Sequence, residues 1–212
     1  MESLDHHITA RNRYLKPLRE EVTRLNELME ELLDYGRPQS LQFGDVSFLE
    51  VARAAVSQAR ASTTRNVEVR LECHDALPAV QADRRRLQQV LRIVIDNAIQ
   101  HSPQGGEVQV RLGADGRDVV CEVLDNGPGF SDEDLSMVFT PFYSKRHGGT
   151  GLGLAIAEKL VIAHGGEITP GNRAEGGAGV TIRIPVGGEA SSDLPPAVRI
   201  LEAGSEQPET AG

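Results

Sequence analysis

LQQVLRIVIDNAIQHS, residues 87 to 102, sets a polar amide inside an apolar helical pattern. Val90, Leu91, Val94, Ile95 and Ala98 recur at helical spacing and make one strongly apolar face. Asp83 is placed to cap the helix, which predicts a span from Arg84 to about Gln100. Asn97 interrupts that span. An amide among apolar neighbours costs free energy unless something bonds it. Two readings stand: a core Asn satisfied by backbone, or a ligand for a metal ion or phosphate. The amide oxygen is a hard donor suited to Mg²⁺.

Two further features lie downstream. In DNGPGF, residues 125 to 130, a strand ending at Leu124 delivers Asp125 into glycine-rich backbone. Gly127 and Gly129 permit close approach of a ligand, and a carboxylate at a strand end can accept from an exocyclic amine such as that of adenine. A tight turn accounts for the same residues. In GGTGLGLAIAEKL, residues 148 to 160, Gly149, Gly151 and Gly153 run into a helix N-terminus. Unpaired N–H groups and the helix dipole favour an anion there. No Gly-Lys-Ser/Thr follows, so this is not a Walker A loop, and no strand directly precedes it.

Around these features the chain reads as an α+β protein. Ser47 and Glu50 suit a capping box before a helix whose apolar face holds Phe48, Ala52, Ala55, Val56 and Ala59. VEVRLEC (67–73) alternates as a strand. EVQVRL (107–112) and DVVCEVL (118–124) predict a hairpin around Asp115-Gly116. A loop-rich stretch covers 126–150, a helix follows from 151 to about 163, and GVTIRIP (179–185) is a last strand. This order is no regular βαβ alternation. It predicts a two-layer α/β sandwich, a mixed sheet with helices on one face.

The N-terminal segment is different. Leu15, Leu18, Val22, Leu25, Met29 and Leu32 follow steps of three and four, a heptad seam. One stripe cannot bury itself, so a partner helix from a second copy is expected. Gly36 and Pro38 end the helix. Residues 187–212 have the composition of a disordered tail.

The 212 residues carry 22 Lys plus Arg against 31 Asp plus Glu, a net charge of −9. That argues against nucleic acid as a partner, which requires a basic face. No apolar run is long enough to span a bilayer, and the first residues do not form a signal peptide. Cys73 and Cys121 fall in strands and read as small buried hydrophobes rather than a disulfide, so a cytoplasmic chain is expected.

Taken in order, the motifs resemble the sensor histidine kinases. DNAIQHS (96–102) is similar to the family's N-box, Asp125-x-Gly127-x-Gly129 to its first glycine box, and VFTPFYSK, with Phe139, Pro141 and Phe142, to its F-box. GTGLGLAIAEKLVIAHGG (149–166) resembles the second glycine box. Residues 45–186 then correspond to the ATP-binding catalytic domain of the Bergerat type. Residues 1–38 resemble the second helix of the dimerisation and phosphoacceptor domain, ending in LLDYGRP.

The resemblance implies a site. Asn97 would hold Mg²⁺ at the ATP phosphates, and Asp125 would receive the adenine amino group beside Gly127 and Gly129. His101 would flank the nucleotide, and Thr181 would help position the adenine edge. Residues 131–150 would form a lid anchored by Phe139 and Phe142, with Lys145 reaching a phosphate. The backbone of Gly149, Thr150, Gly151, Leu152, Gly153 and Leu154 would cradle the phosphates. ATP and Mg²⁺ are the implied cofactors. A response-regulator receiver domain and a second copy of the chain are the implied partners.

Two departures bear on activity. The family's His-Glu/Asp-x-x-x-Pro-Leu acceptor motif is missing: Asn12 stands where the His belongs before Pro17-Leu18, and His6 and His7 lack the acidic neighbour. The chain is therefore expected to be a fragment unable to phosphorylate itself. Ile93, one turn before Asn97, stands where the family usually has Asn or an acidic residue. That keeps a catalytically weak ATP-sensing module as the alternative.

Overall fold

The computed structural model describes residues 41–146 and 149–187, together with residues 15, 18, 19, 21–23, 25, 26, 28–33, 35 and 36. The elements after the N-terminal helical segment run β1 (Gly44–Val46), α1 (Phe48–Ser62), β2 (Val67–Cys73), β3 (Val80–Ala82), α2 (Arg84–His101), β4 (Gly106–Asp115) and β5 (Asp118–Leu124). They continue through α3 (Asp132–Met137), α4 (Gly153–Ala163), β6 (Glu167–Asn172) and β7 (Ala178–Pro185).

Five strands form one mixed sheet in the order β2-β4-β5-β7-β6. Only β2 and β4 are parallel; the other pairs are antiparallel. β1 and β3 make a separate antiparallel pair. Alternation decides the faces. In β7 the buried residues are Ala178, Val180, Ile182 and Ile184, and in β5 they are Val119, Cys121 and Val123. All of these except Ala178 pack in one core with the apolar faces of α1, α2 and α4. The opposite face carries crossed ion pairs, Arg70 with Glu107 and Arg111 with Glu72. One polar face and one helix-covered face make the expected two-layer α/β sandwich.

The strongly patterned elements form where the residues dictate. Asp83 caps α2, its Oδ1 accepting from the N–H groups of Arg85 at 2.9 Å and Arg86 at 3.1 Å. Three readings need correction. Ser47 caps α1 by accepting from Glu50 N–H at 3.4 Å, but Glu50 is drawn away to Arg84 at 3.0 Å. The full capping box lies instead at α3, where Ser131 and Asp134 bond reciprocally. α3 falls in the stretch read as loop, and β6 in one for which the sequence pattern predicts no element. β6 contains Pro170 and Gly171, which an edge strand tolerates because one side needs no ladder partner.

Cys73 and Cys121 both align on Leu112 of the strand between them. They are therefore two strand spacings apart, about 9–10 Å, too far for a disulfide. Cys121 is buried, while Cys73 is only half-buried.

The described residues between Leu15 and Gly36 are helical. Their seam is exposed: Leu18 by 62%, Leu25 by 52% and Met29 by 57%. The lower end of this helix is tied to the domain. Lys159 of α4, itself only 6% exposed, donates to the Tyr35 carbonyl and lies over the Tyr35 ring. His6, His7, Asn12 and the predicted tail from residue 188 lie outside the described residues. Among the described residues, no helix is long and apolar enough to cross a membrane.

Candidate functional site

The C-terminal half of α2, the end of β5 and the start of α4 meet at one end of the sheet. Asp125 follows β5 directly and is 5% exposed. Its backbone pairs with β7, Asp125 N–H donating to the Ala178 carbonyl at 2.9 Å. One carboxylate oxygen, Oδ1, accepts from Gly127 N–H at 2.7 Å and Ala178 N–H at 3.0 Å. Among the described residues, no donor bonds the other oxygen. The carboxylate is thus fixed by backbone on one side and available on the other. Such an oxygen can accept from an amine of a ligand.

Asn97 lies on α2 and is half-buried. No described group bonds its side-chain amide. The reading of a core Asn satisfied by backbone is therefore not what the structure shows. Beside it, burial raises the Asp96 carboxyl above its ordinary value, with Arg92 acting in the other direction. One turn on, His101 Nδ1 donates to the Asn97 carbonyl at 2.9 Å. An alanine Cβ at Gly127 would sit 2.7 Å from the His101 carbonyl oxygen, so the first glycine box lies directly on the end of α2.

The second glycine box enters α4 two residues later than the sequence pattern predicts. Leu152 occupies the N-cap and makes no side-chain cap bond, so the first N–H groups of α4 have no capping oxygen. Gly151 holds φ +70, and its backbone presses on the F-box. A Cβ there would lie 2.5 Å from the Phe142 carbonyl carbon. Phe142 N–H donates to the Gly151 carbonyl at 3.0 Å, which closes the base of the lid segment. Phe142 itself adopts φ 66.

Several sequence assignments are relocated. Phe139 packs on the core, but Phe142 is 62% exposed and anchors the lid through its backbone alone. Lys145 does not point toward the glycine loop. Its Nζ sits 3.0 Å from Asp134, 3.2 Å from Glu133 and 3.1 Å from Ser131, all around the first turn of α3. Asp134 foremost, with Glu133 and Tyr143, raises the Lys145 ammonium pKa against a smaller opposing effect of burial. The Ser131 hydroxyl and N–H, with Lys145 and Tyr143, lower that of the Asp134 carboxyl. The Thr150 hydroxyl donates to Glu31 of the N-terminal helix. Thr181 is half-buried on β7, on the face opposite Ala178, Val180 and Ile182, because strand neighbours alternate. Ala178 is the β7 residue that reaches Asp125.

The site also contains residues that the sequence reading passed over. Glu30, Glu31, Arg92 and Ile156 line a cavity of about 350 Å³ together with Ile93 and Gly153, the two lining residues that the sequence already singles out. Asn172 and Arg173, at the end of β6, bond the backbone of the first glycine box. Nothing in the local pattern NRAEGG signals such a contact.

Comparison with known proteins places these features in context. Residues 82–188 match a family model described as histidine kinase-, DNA gyrase B-, and HSP90-like ATPase. The chain is 34% identical over 168 residues to the sensor histidine kinase ZraS of Escherichia coli K12, covering 78% of this chain and 36% of that protein. It is 38% identical over 178 residues to ZraS of Klebsiella oxytoca, covering 82% and 38%. The chain thus spans little more than a third of these relatives. Among solved structures, the catalytic domain of histidine kinase ThkA matches with TM-score 0.63 and 29% identity over 68% of this chain and 95% of that domain. Full-length ShkA in complex with AMPPNP matches with TM-score 0.69 and 28% identity, covering 85% and 40%. ThkA in complex with the response regulator TrrA matches with TM-score 0.71 and 27% identity, covering 82% and 50%.

Proposed function

Because the chain belongs to the histidine kinase-, DNA gyrase B-, and HSP90-like ATPases and carries the ATPase domain of a sensor histidine kinase, we propose that it binds ATP with Mg²⁺ between α2, β5 and α4 and transfers the γ-phosphoryl group to a histidine. The observation that carries this reading is Asp125. It is nearly buried, held by two backbone N–H groups on one oxygen and left with a second oxygen for a ligand.

In this reading, the open oxygen of Asp125 accepts from the adenine amine, and Gly127 and Gly129 let the base approach backbone. The Asn97 amide, without a bond to any described residue, supplies a hard oxygen for Mg²⁺. That ion neutralises phosphate charge when bound and ordinarily keeps most of its contacts to phosphate and water. The backbone from Gly149 to Leu154 receives phosphate oxygens: the first N–H groups of α4 have no capping side chain, while Gly149 N–H, bonded to the Arg146 carbonyl, and Leu152 N–H, bonded to the Thr150 hydroxyl, would exchange those partners for phosphate. The residues contribute positioning and charge neutralisation, which dominate phosphoryl transfer.

The exposed seam of the N-terminal helix supports pairing with a second copy. Relay to a response-regulator receiver domain is supported by the ThkA complex with TrrA. The phosphorylated histidine is then supplied outside the described residues.

A titration with Mg-ATP tests the binding step. Asp125→Asn keeps the shape and removes the charge, and binding should weaken about tenfold or more, the worth of a hydrogen bond to a charged group. Equal affinity in the two proteins would remove the assignment. Transfer is tested with labelled ATP and an added acceptor domain, read as acid-labile phosphate.

Ile93 favours a second reading, an ATP-sensing module with weak transfer. Its side chain can neither ligate an ion nor move a proton, and it faces the cavity beside Gly153. Ile93→Asn distinguishes the two: a large gain in transfer supports the weak module, and no gain supports the kinase as it stands.

A further inference from the structure

Both ends of the first glycine box are bonded by one short segment at the end of the edge strand β6, across β7 from Asp125. Asn172 closes β6, and its amide meets the backbone of Phe130, 42 residues earlier. Oδ1 accepts from Phe130 N–H at 2.6 Å, and Nδ2 donates to the Phe130 carbonyl at 2.8 Å. The side chain thereby makes both bonds that a neighbouring strand would make.

The next residue holds the other end. Arg173 Nη1 donates to the Asp125 carbonyl at 3.0 Å, while Nη2 pairs with Glu175 at 3.3 Å. Its side chain is only 13% exposed. The segment that presents these groups is itself fixed. Arg173 N–H donates to the Gly177 carbonyl at 3.0 Å, and Gly176 N–H returns to the Arg173 carbonyl at 3.1 Å. Ala178 then pairs with Asp125 through backbone and carboxylate.

From this geometry we infer that Asn172 and Arg173 are positioning residues of the nucleotide site. Arg173 fixes the strand end that aims Asp125, and Asn172 holds Phe130, the point from which the lid segment departs. The inference rests on the nucleotide reading above. Neither side chain is required to touch the ligand; each acts through the box. Phe130 packs on the core, and Ser131 immediately caps α3. The Asn172 bonds therefore set a boundary. Residues before Ser131 stay with the sheet, and residues after it are free to move as a lid. Without those bonds, motion would spread back to Gly127 and Asp125, and the carboxylate would no longer aim at one place.

A positioning role differs from plain structural support in what it changes. Asp125 discriminates the base, whereas the glycine loop before α4 takes the phosphates. Loosening the first box should therefore weaken ATP more than GTP. The test measures Kd for Mg-ATP and Mg-GTP on the full chain, with thermal midpoints and hydrogen exchange at residues 127–132. Asn172→Leu removes both bonds to Phe130, Asn172→Asp keeps only acceptance from its N–H, and Arg173→Met removes the bond to Asp125.

Each variant should bind ATP about tenfold more weakly, the scale of one or two net hydrogen bonds. The preference for ATP over GTP should shrink, and exchange at Phe130 should accelerate, with Asn172→Asp the mildest. Wild-type affinity and preference in all three would overturn the inference. So would equal weakening of both nucleotides, which is the outcome of structural support alone. Asp125→Asn, measured alongside, separates the two levels. If it binds like wild type, the nucleotide reading fails; if it binds poorly while the three variants do not, only the present inference fails.

Discussion

His164 Nε2 accepts the backbone N–H of Asp83 at 3.0 Å, while its Nδ1 donates to the Leu160 carbonyl at 2.7 Å. An amide N–H can only donate and a carbonyl can only accept, so both bonds together require the neutral imidazole with its proton on Nδ1. The ring is fully buried and lies 5.5 Å from the Phe43 ring. It joins the end of α4 to the start of α2 and to the linker from the N-terminal helix.

Acid should therefore loosen this junction. Burial holds the imidazole below its ordinary value of 6.5 in the folded chain. As pH falls below 6.5, the unfolded chain takes a proton that the folded chain refuses, so stability falls until the lowered value is passed. Above 6.5 the contribution is complete. Asp83 adds a second loss below 3.8. Burial alone would raise its carboxyl, but the N–H groups of Gln42, Arg86 and Arg85 outweigh this and lower it. Urea midpoints for the wild type should drop between pH 7.5 and 5, and those of His164→Gln should be lower at neutral pH but flatter across that window. Parallel curves would exclude His164 as the source.

How far the sequence reveals this protein depends on where each element's information lies. β2 was legible residue for residue because its apolar and charged positions alternate without interruption. β6 was not, since Pro170-Gly171 breaks the alternation and only an edge position makes that harmless. α3 has six residues, three of them acidic, too few to show a period. Asn97 and Asp125 stand out as polar residues set into or against apolar runs. Asn172 and Arg173 do not, because their partners lie 42 and 48 residues earlier and leave no local trace. The partners of Lys145 are illegible for a related reason: a lysine in a loop shows its charge, but not which of several nearby anions it meets.

The Glu31–Thr150 hydrogen bond sets up a competition. Thr150 belongs to the loop assigned to phosphate, and Glu31 brings a carboxylate to it from the N-terminal helix. A nucleotide phosphate entering that loop meets a like charge. Glu31→Ala should therefore bind Mg-ATP about fivefold more tightly, the worth of one net hydrogen bond of about 1 kcal/mol. Glu31→Gln should fall between. Weaker binding in Glu31→Ala would instead mean that Glu31 helps to hold the loop in its binding shape.

Lys145 should act on lid order rather than on nucleotide charge. Its contacts to Asp134 and Glu133 lie at the surface, where ion pairs are weak and screened by salt. Lys145→Met should speed proteolytic cleavage within the lid and lower ATP affinity by less than about threefold, with the difference fading at high salt. A loss of tenfold or more that persists in salt would return Lys145 to the phosphates.

Gly177 offers the sharpest steric test. It holds φ +98, and a Cβ built on it would lie 2.0 Å from the Asp125 carbonyl oxygen. Neither atom can yield cheaply, because Asp125 is paired through its N–H and Oδ1 to Ala178, the residue after Gly177. Gly177→Ala must therefore push β7 away from the end of β5 or twist the peptide that carries Asp125. The core of the sheet lies further along both strands and remains paired through Val123 with Val180 and Cys121 with Ile182. The variant should fold with a modestly lower thermal midpoint and lose adenine-nucleotide binding by more than about tenfold, since the carboxylate no longer faces one direction. Gly176→Ala is the matched control. Gly176 has a similar positive φ of +93 with nothing within 4 Å of the added atom, so it carries the backbone strain without the collision. If both variants lose nucleotide to the same degree, strain in the turn explains the effect; if only Gly177→Ala does, the close approach to Asp125 is the cause.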